Sequence, residues 1–267
     1  MVIRAGVVGH PIAHSLSPRL HGRWLENYGI DGSYEAIDGG TDFGAVIERL
    51  REAGFAGCNV TLPFKAEAVR LADEVTPLAA RLGTGNTLVF AGGRILADNT
   101  DVYGMERALR PHMDARHRTA LVLGAGGVAP AAVAALQALG IEKLRIANRT
   151  PETAAALAER FGLEPVLWAA RDAAADTDIL VNATALGLPG KPPLDVSLGR
   201  LPAHAVVMDA VYTPQGTALI DRARGRGLTG VDGLTMLVHQ AIPGFARWFG
   251  VEPDDPDAAE AQLRSAA

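Results

Sequence analysis

Between Thr119 and Gly140 the chain carries no charged residue, yet Gly124, Gly126, Gly127 and Pro130 break this run into three parts. A short apolar strand, a tight turn and an alanine-rich helical segment follow one another. A bilayer span needs about 20 consecutive apolar residues without such breaks, so the stretch predicts interior α/β structure rather than a membrane helix. The turn reads "LVLGAGGVA", and Gly124, Gly126 and Ala129 fit G-x-G-x-x-G/A between a strand and a helix. The first glycine permits the tight turn, the second lets a pyrophosphate approach the backbone, and the third small residue lets helix and strand pack closely. A phosphate would then meet the unpaired amides at the helix start. Gly124, Ala125, Gly126, Gly127 and Val128 are therefore candidate cofactor contacts; an ordinary glycine-rich turn is the alternative.

The tip of the next strand bears on which dinucleotide would bind. NAD sites usually carry Asp or Glu there to meet the ribose 2′-hydroxyl. This chain has "ANRTPE", with Asn148, Arg149 and Thr150 at that place. An arginine can meet a 2′-phosphate through charge-assisted, bidentate hydrogen bonds, which favours NADP(H). Alternatively, Arg149 and Thr150 turn the chain and cap a helix starting at Pro151.

Strand-like and helix-like patterns alternate along most of the 267 residues. Strands are expected near Ile3 to Val8, Tyr34 to Ile37 and Phe55 to Val60, with helices at Pro18 to Tyr28 and Phe43 to Ala53. "NTLVFAGGRILADNTD" interrupts the rhythm with two short strands around Gly92-Gly93, a hairpin signal that adds one antiparallel edge strand to a mostly parallel sheet. A second series places strands near Ala120 to Leu123, Leu144 to Ala147, Asp178 to Val181, Val206 to Asp209 and Leu228 to Val231. Helical patterns lie at Val128 to Leu139, Pro151 to Phe161 and Thr217 to Arg226. This is the pattern of two α/β domains, the second a doubly wound Rossmann-type sheet. The expected division assigns residues 1–101 and 236–267 to one domain and 102–235 to the other, with the last helices returning to the first.

A formal charge of −5 gives no basic footprint for nucleic acid. The single cysteine, Cys58, excludes an internal disulfide, suits a reducing cytoplasmic setting, and stands in a strand-like run where packing is its expected role. "MVIRAGVVGHPIAHS" lacks the pattern of a signal peptide. The histidines, including His10, His14, His21 and His239, show no metal-ligand spacing, and no metal is expected.

One motif raises a question that its own residues do not answer. In "GCNVTLPFK" a buried strand is followed by Pro63, suited to the first turn of a helix, so that Lys65 falls near a helix N-terminus. Helix starts favour negative charge, so a cation is poorly placed there, and these nine residues alone read most simply as a solvated surface lysine that tolerates the mismatch.

Taken in order, "SLSP" at 15–18, "NVTLPFK" at 59–65, "GNTL" at 85–88, "NTD" at 99–101, "GAGG" at 124–127, "NRT" at 148–150, "NAT" at 182–184, "DAVYTP" at 209–214 and "DGLTMLVHQA" at 232–241 resemble the shikimate dehydrogenase family over nearly the whole chain. The resemblance implies an NADP-dependent enzyme reducing 3-dehydroshikimate reversibly to shikimate, with the first domain for substrate and the second for NADP(H). It implies Lys65 and Asp101 as the catalytic pair. It places Ser15, Ser17, Thr61 and Tyr212 around the substrate carboxylate, Asn86, Asp101, Lys65 and Gln240 toward the ring hydroxyls, and Gly233 among the cofactor contacts. Residue by residue, plainer roles stand beside these: Ser15 and Ser17 could cap the helix at Pro18, Asp101 could cap a helix starting at Val102, Asn86 could support a turn, and Gln240 could lie on a helix surface.

Four positions depart from the family pattern: Val102 stands where glycine is common, Pro130 where a basic or small residue is frequent, Thr153 where a second basic residue often follows "NRT", and His239 just ahead of Gln240. Rival readings are a quinate/shikimate dehydrogenase, an aminoshikimate dehydrogenase, a folate-linked dehydrogenase of similar plan, and a non-catalytic ligand sensor. The expected partner is a small-molecule acid, with neither nucleic acid nor membrane, for a monomer or homodimer.

Overall fold

The computed structural model describes residues 2–265. Contacts divide the chain into two compact units: the chain up to Asp101 together with the segment from Leu237 onward, and Val102–Met236.

The first unit contains β1 (Ile3–Gly9), α1 (Ser17–Asn27), β2 (Gly32–Asp38), α2 (Phe43–Glu52), β3 (Gly57–Val60), α3 (Lys65–Leu71), β4 (Glu74–Val75), α4 (Pro77–Leu82), β5 (Thr87–Ala91) and β6 (Arg94–Asp98). Its six strands take the order β2-β1-β3-β5-β6-β4. All four residues of β3 are buried, as befits a strand covered on both faces. Phe43, Ile47, Leu50 and Phe55 pack with Cys58, Val60 and Phe64 to form the core on one side. Burial pushes the Cys58 thiol up from its ordinary pKa, which leaves it a packing residue.

The hairpin around Gly92 and Gly93 forms as expected, both glycines taking the left-handed φ (58° and 76°) that such a turn demands. The position of the antiparallel strand differs from expectation. It is β5, antiparallel to both β3 and β6, and it lies inside the sheet. The edge is the two-residue strand β4, parallel to β6. A strand that short leaves no periodicity to read.

The second unit continues with α5 (Asp101–Leu109, whose first residue belongs to the first unit), β7 (Thr119–Leu123), α6 (Ala129–Ala138), β8 (Lys143–Asn148), α7 (Pro151–Phe161), β9 (Glu164–Leu167), β10 (Ile179–Asn182), β11 (Val206–Asp209), α8 (Ala218–Gly225) and β12 (Thr229–Val231). The all-parallel order β12-β11-β10-β7-β8-β9 is the doubly wound arrangement, with its switch point between β7 and β10. β9 carries Pro165 and lies at the edge, where a missing amide donor is tolerated. Every residue of α6 from Ala129 to Leu136 is buried. A helix apolar on all sides belongs in an interior, and its alanines allow close packing.

α9 (Gly233–Phe249) begins in the second unit, and its later part lies in the first, followed by α10 (Pro256–Ser265). Within the first unit, Trp248 donates its indole N–H to the Leu88 carbonyl at 3.0 Å, and Arg247 pairs with Asp98. Phe245 packs edge-on against Trp24 of α1. Satisfying the indole while burying its ring makes Trp248 a strong anchor for this return. Among the described residues no helix is long and apolar enough to cross a membrane.

Candidate active site

In the first unit, the C-terminal ends of β1, β3 and β6 and the start of β5 share one edge of the sheet, because Val8 pairs with Val60, and Thr87 pairs with both Asn59 and Asp98. Segments leaving that edge carry Thr61, Lys65, Asn86 and Asp101. The carboxyl edge of parallel strands is where open α/β sheets usually bind ligands.

Lys65 is the first residue of α3 and Asp101 the first of α5. The Lys65 ammonium lies 2.6 Å from Asp101 Oδ2, and the residues are 9 % and 4 % exposed. Asp101 suits a helix start, whereas Lys65 does not; the nearby carboxylate offsets that mismatch. Asp101 Oδ1 accepts from Asn86 Nδ2 at 2.9 Å, so both carboxylate oxygens are engaged by other side chains, and the Asp101 N–H donates to Asn99 Oδ1. The carboxylate is thus braced between two elements instead of serving chiefly as a cap. Pro63 lies before α3, in the turn ahead of Phe64 at the N-cap, and outside the helical first turn expected for it.

Asn86 is the hub of the cluster. Its amide nitrogen also faces Gln240 Oε1 at 3.1 Å and Thr100 Oγ1 at 3.0 Å, while its Oδ1 accepts from the Thr100 N–H at 2.7 Å. Gln240, on α9, is buried and points at this hub, which excludes the helix-surface reading. Behind the hub, Asn59 donates to the Asn86 carbonyl and to Thr87 Oγ1, and Tyr34 donates its hydroxyl to Asn59 Oδ1 at 2.6 Å. Asn59, Thr100 and Tyr34 were not singled out from sequence. A polar Asn inside the apolar run of β3 is the signal that could have flagged the first of them.

Ser15 and Ser17 lie in the segment from β1 into α1. Neither is the N-cap residue, which is Leu16 with no side-chain cap bond, but Ser15 Oγ accepts from the Ser17 N–H at 3.3 Å and so takes one free amide of the first turn. Thr61 follows β3 directly, its N–H donating to the Val8 carbonyl. Tyr212 belongs to the second unit, in the loop after β11.

In the second unit the glycine turn leaves β7 beside the tip of β8, with the Gly124 N–H on the Ala147 carbonyl at 2.8 Å. Gly124 has φ +104°, and a Cβ there would come within 2.7 Å of the Ala183 carbonyl oxygen. Gly126 differs, for a Cβ on it would meet nothing within 4 Å. α6 starts at Ala129 with Val128 as N-cap, no side-chain cap bond and no acidic residue in its first turn. An uncapped helix start behind an open glycine turn fits a phosphate group. Beside it, Asn148 donates to the Thr150 carbonyl; Thr150 is the N-cap of α7 without a side-chain cap bond, and Arg149 is exposed with no ion pair among the described residues. Gly233 has a steric reason for being glycine: a Cβ would lie 2.7 Å from both the Ala210 and Val211 carbonyl oxygens. Among the described residues no group of three or more His, Cys, Asp or Glu is arranged to hold a metal ion.

Family models match the chain in three consecutive stretches: the shikimate dehydrogenase substrate-binding domain at 7–88, shikimate/quinate 5-dehydrogenase at 106–189, and the shikimate 5′-dehydrogenase C-terminal domain at 233–264. The shikimate dehydrogenase (NADP(+)) of Acidiphilium cryptum is 49 % identical over 257 residues, covering 95 % of this chain and 93 % of that protein. The crystal structure of Thermus thermophilus shikimate 5-dehydrogenase in complex with NADP(H) and shikimate superposes with a TM-score of 0.90 at 38 % identity, covering all of both chains. Quinate dehydrogenase from Corynebacterium glutamicum in complex with NAD gives 0.86 at 32 % identity, covering 99 % of this chain and 98 % of that one.

Proposed function

We propose that this chain, which belongs to the shikimate dehydrogenase family, catalyses the reversible NADP-dependent reduction of 3-dehydroshikimate to shikimate. The observation that carries the reading is the buried Lys65–Asp101 pair, braced by Asn86 and Gln240 at the carboxyl edge of the first sheet. A desolvated ion pair is a poor device for stability, and a polar cluster of this kind is better explained by the work it does.

NADPH, when bound by residues 124–128 with Arg149 at the 2′-phosphate, supplies hydride to the ketone carbon. Lys65 stabilises the negative charge that develops on the ketone oxygen and delivers the proton that completes the alcohol. Asp101 holds the ammonium in place and takes part in restoring its proton, the two titrating as a coupled pair. Asn86 and Gln240 fix the ring hydroxyls, and Ser15, Ser17 and Thr61 offer hydroxyl donors for the substrate carboxylate. Gly233 adjoins the cofactor site through the backbone after β11. The enzyme works in the cytoplasm as a monomer or homodimer.

A second reading, oxidation of quinate with NAD, rests on the likeness to the Corynebacterium enzyme. Initial rates with shikimate or quinate crossed against NADP or NAD separate the two. The proposal predicts the highest kcat/KM for shikimate with NADP. Preference for quinate or NAD would overturn the specificity, and folded protein inactive in all four combinations would overturn the reaction.

A further inference from the structure

At the carboxyl edge of the second sheet a buried carboxylate is engaged by three donors. Asp209, the last residue of β11, accepts at Oδ1 from Asn182 Nδ2 (2.8 Å) and from the Val211 N–H (3.1 Å), and at Oδ2 from the Thr217 hydroxyl (2.7 Å). Asn182 ends the neighbouring strand β10. Its Oδ1 accepts from both the N–H and the hydroxyl of Thr184, and its amide also donates to the Leu186 carbonyl. The loop so braced is the one whose Ala183 carbonyl closes on Gly124, while the loop braced through Val211 closes on Gly233.

We infer that Asp209 is a positioning residue for the cofactor site: its Oδ1 ties the loops after β10 and β11 together, and these loops hold the glycine turn and the start of α9 in register. The inference rests on the NADP reading for the identity of the ligand. Asp209 does not reach Gly124 or Gly233 by a direct hydrogen bond; it acts through Asn182, Thr184 and Val211.

The chemistry of the carboxyl group fits this role. Burial pushes its pKa up to about 6, against the pull of the three donors. The charged group facing it is Asp232, ahead of α9, itself 4.0 Å from Arg224 of α8. Protonation places a hydrogen on Oδ2, toward Thr217, whose hydroxyl can turn to accept it; Oδ1 keeps both of its donors. The tie therefore survives on both sides of pH 6, and an Asn at 209 preserves it in the same manner. Removing the carboxylate altogether takes this acceptor from all three donors, of which Asn182 Nδ2 keeps the Leu186 carbonyl.

The test is NADPH binding to the free enzyme, followed by nucleotide fluorescence, with shikimate affinity and thermal midpoint measured on the same preparations. Asp209→Ala raises the NADPH Kd about tenfold and leaves shikimate affinity within about twofold. Asp209→Asn restores NADPH binding to within about threefold of wild type. Asn182→Ala, an independent cut of the same tie that serves if Asp209→Ala fails to fold, also raises the NADPH Kd about tenfold. The double variant loses no more than about twentyfold, because both changes break one connection. NADPH affinity within threefold of wild type in either alanine variant overturns the inference, even with a lowered thermal midpoint, as do losses that multiply. Normal wild-type NADPH binding with these negative results refutes the positioning role alone; wild-type protein that binds no NADPH overturns both this inference and the cofactor reading.

Discussion

Lys65→Met and Asp101→Asn, singly and together, expose the energetics of the central pair. The two side chains are 11 % and 5 % exposed, and their charged atoms are 2.6 Å apart. Removing one partner of such a pair strands a buried charge, at a cost of about 3–5 kcal/mol. Lys65→Met belongs at about 3 kcal/mol, since Asn86 still donates to the carboxylate that remains. Asp101→Asn costs about 2 kcal/mol, because the flexible lysine stem can carry its ammonium toward water. The double variant has no unpaired charge and keeps the shapes nearly intact, so its cost is also about 2 kcal/mol, short of additivity by about 3. Urea unfolding followed by tryptophan fluorescence measures this in a Trp168→Phe background, where the remaining indoles, Trp24 and Trp248, both lie in the first unit. Single costs that add to within about 0.5 kcal/mol in the double variant would refute the reasoning, since the charges would then be energetically independent.

Gly126→Ala is expected to leave stability within about 0.5 kcal/mol, as its methyl meets no protein atom, while raising the NADP Kd at least tenfold by occupying the open face of the turn. Titration of the variant with NADPH checks this. Arg149→Ala should raise the KM for NADP by roughly 10–100-fold, the worth of a hydrogen-bonded charge pair, and leave the KM for NAD unchanged in steady-state assays. His21 is wholly buried, stacked on Tyr34 at 3.8 Å, and neither ring nitrogen has a hydrogen-bond partner. Burial lowers its pKa from 6.5 to about 3, so between those values the unfolded chain binds a proton that the folded chain refuses. Stability is therefore lost as pH falls below about 6.5, by roughly 1.4 kcal/mol per unit, or about 2 kcal/mol by pH 5. His21→Phe should flatten that part of the urea-midpoint profile.

Local chemistry made some features legible and left others hidden. The strand, glycine turn and helix around Gly124 could be read because the small residues and flanking apolar runs are contiguous in sequence. The hairpin at Gly92-Gly93 was equally local. The interior place of β5 was not, because it depends on which strands pair, and β4 and β9 are short edge strands with little pattern of their own. The family motifs pointed to Lys65 and Asp101, but their approach to 2.6 Å is a product of the sheet, which brings the ends of β3 and β6 to one edge. Capping by Asp101 was a reasonable local reading that tertiary contacts replaced, whereas the bond between Ser15 and the Ser17 amide is itself local. The tie from Asp209 to Asn182 lay within two quoted motifs, yet nothing in either revealed that the two side chains meet.

The most direct test of the account is the activity of Lys65→Met beside its affinity for shikimate. If Lys65 carries the proton transfer, the variant binds shikimate within about tenfold of wild type while kcat with NADP falls by about a thousandfold. A folded variant whose kcat stays within tenfold of wild type would contradict the account.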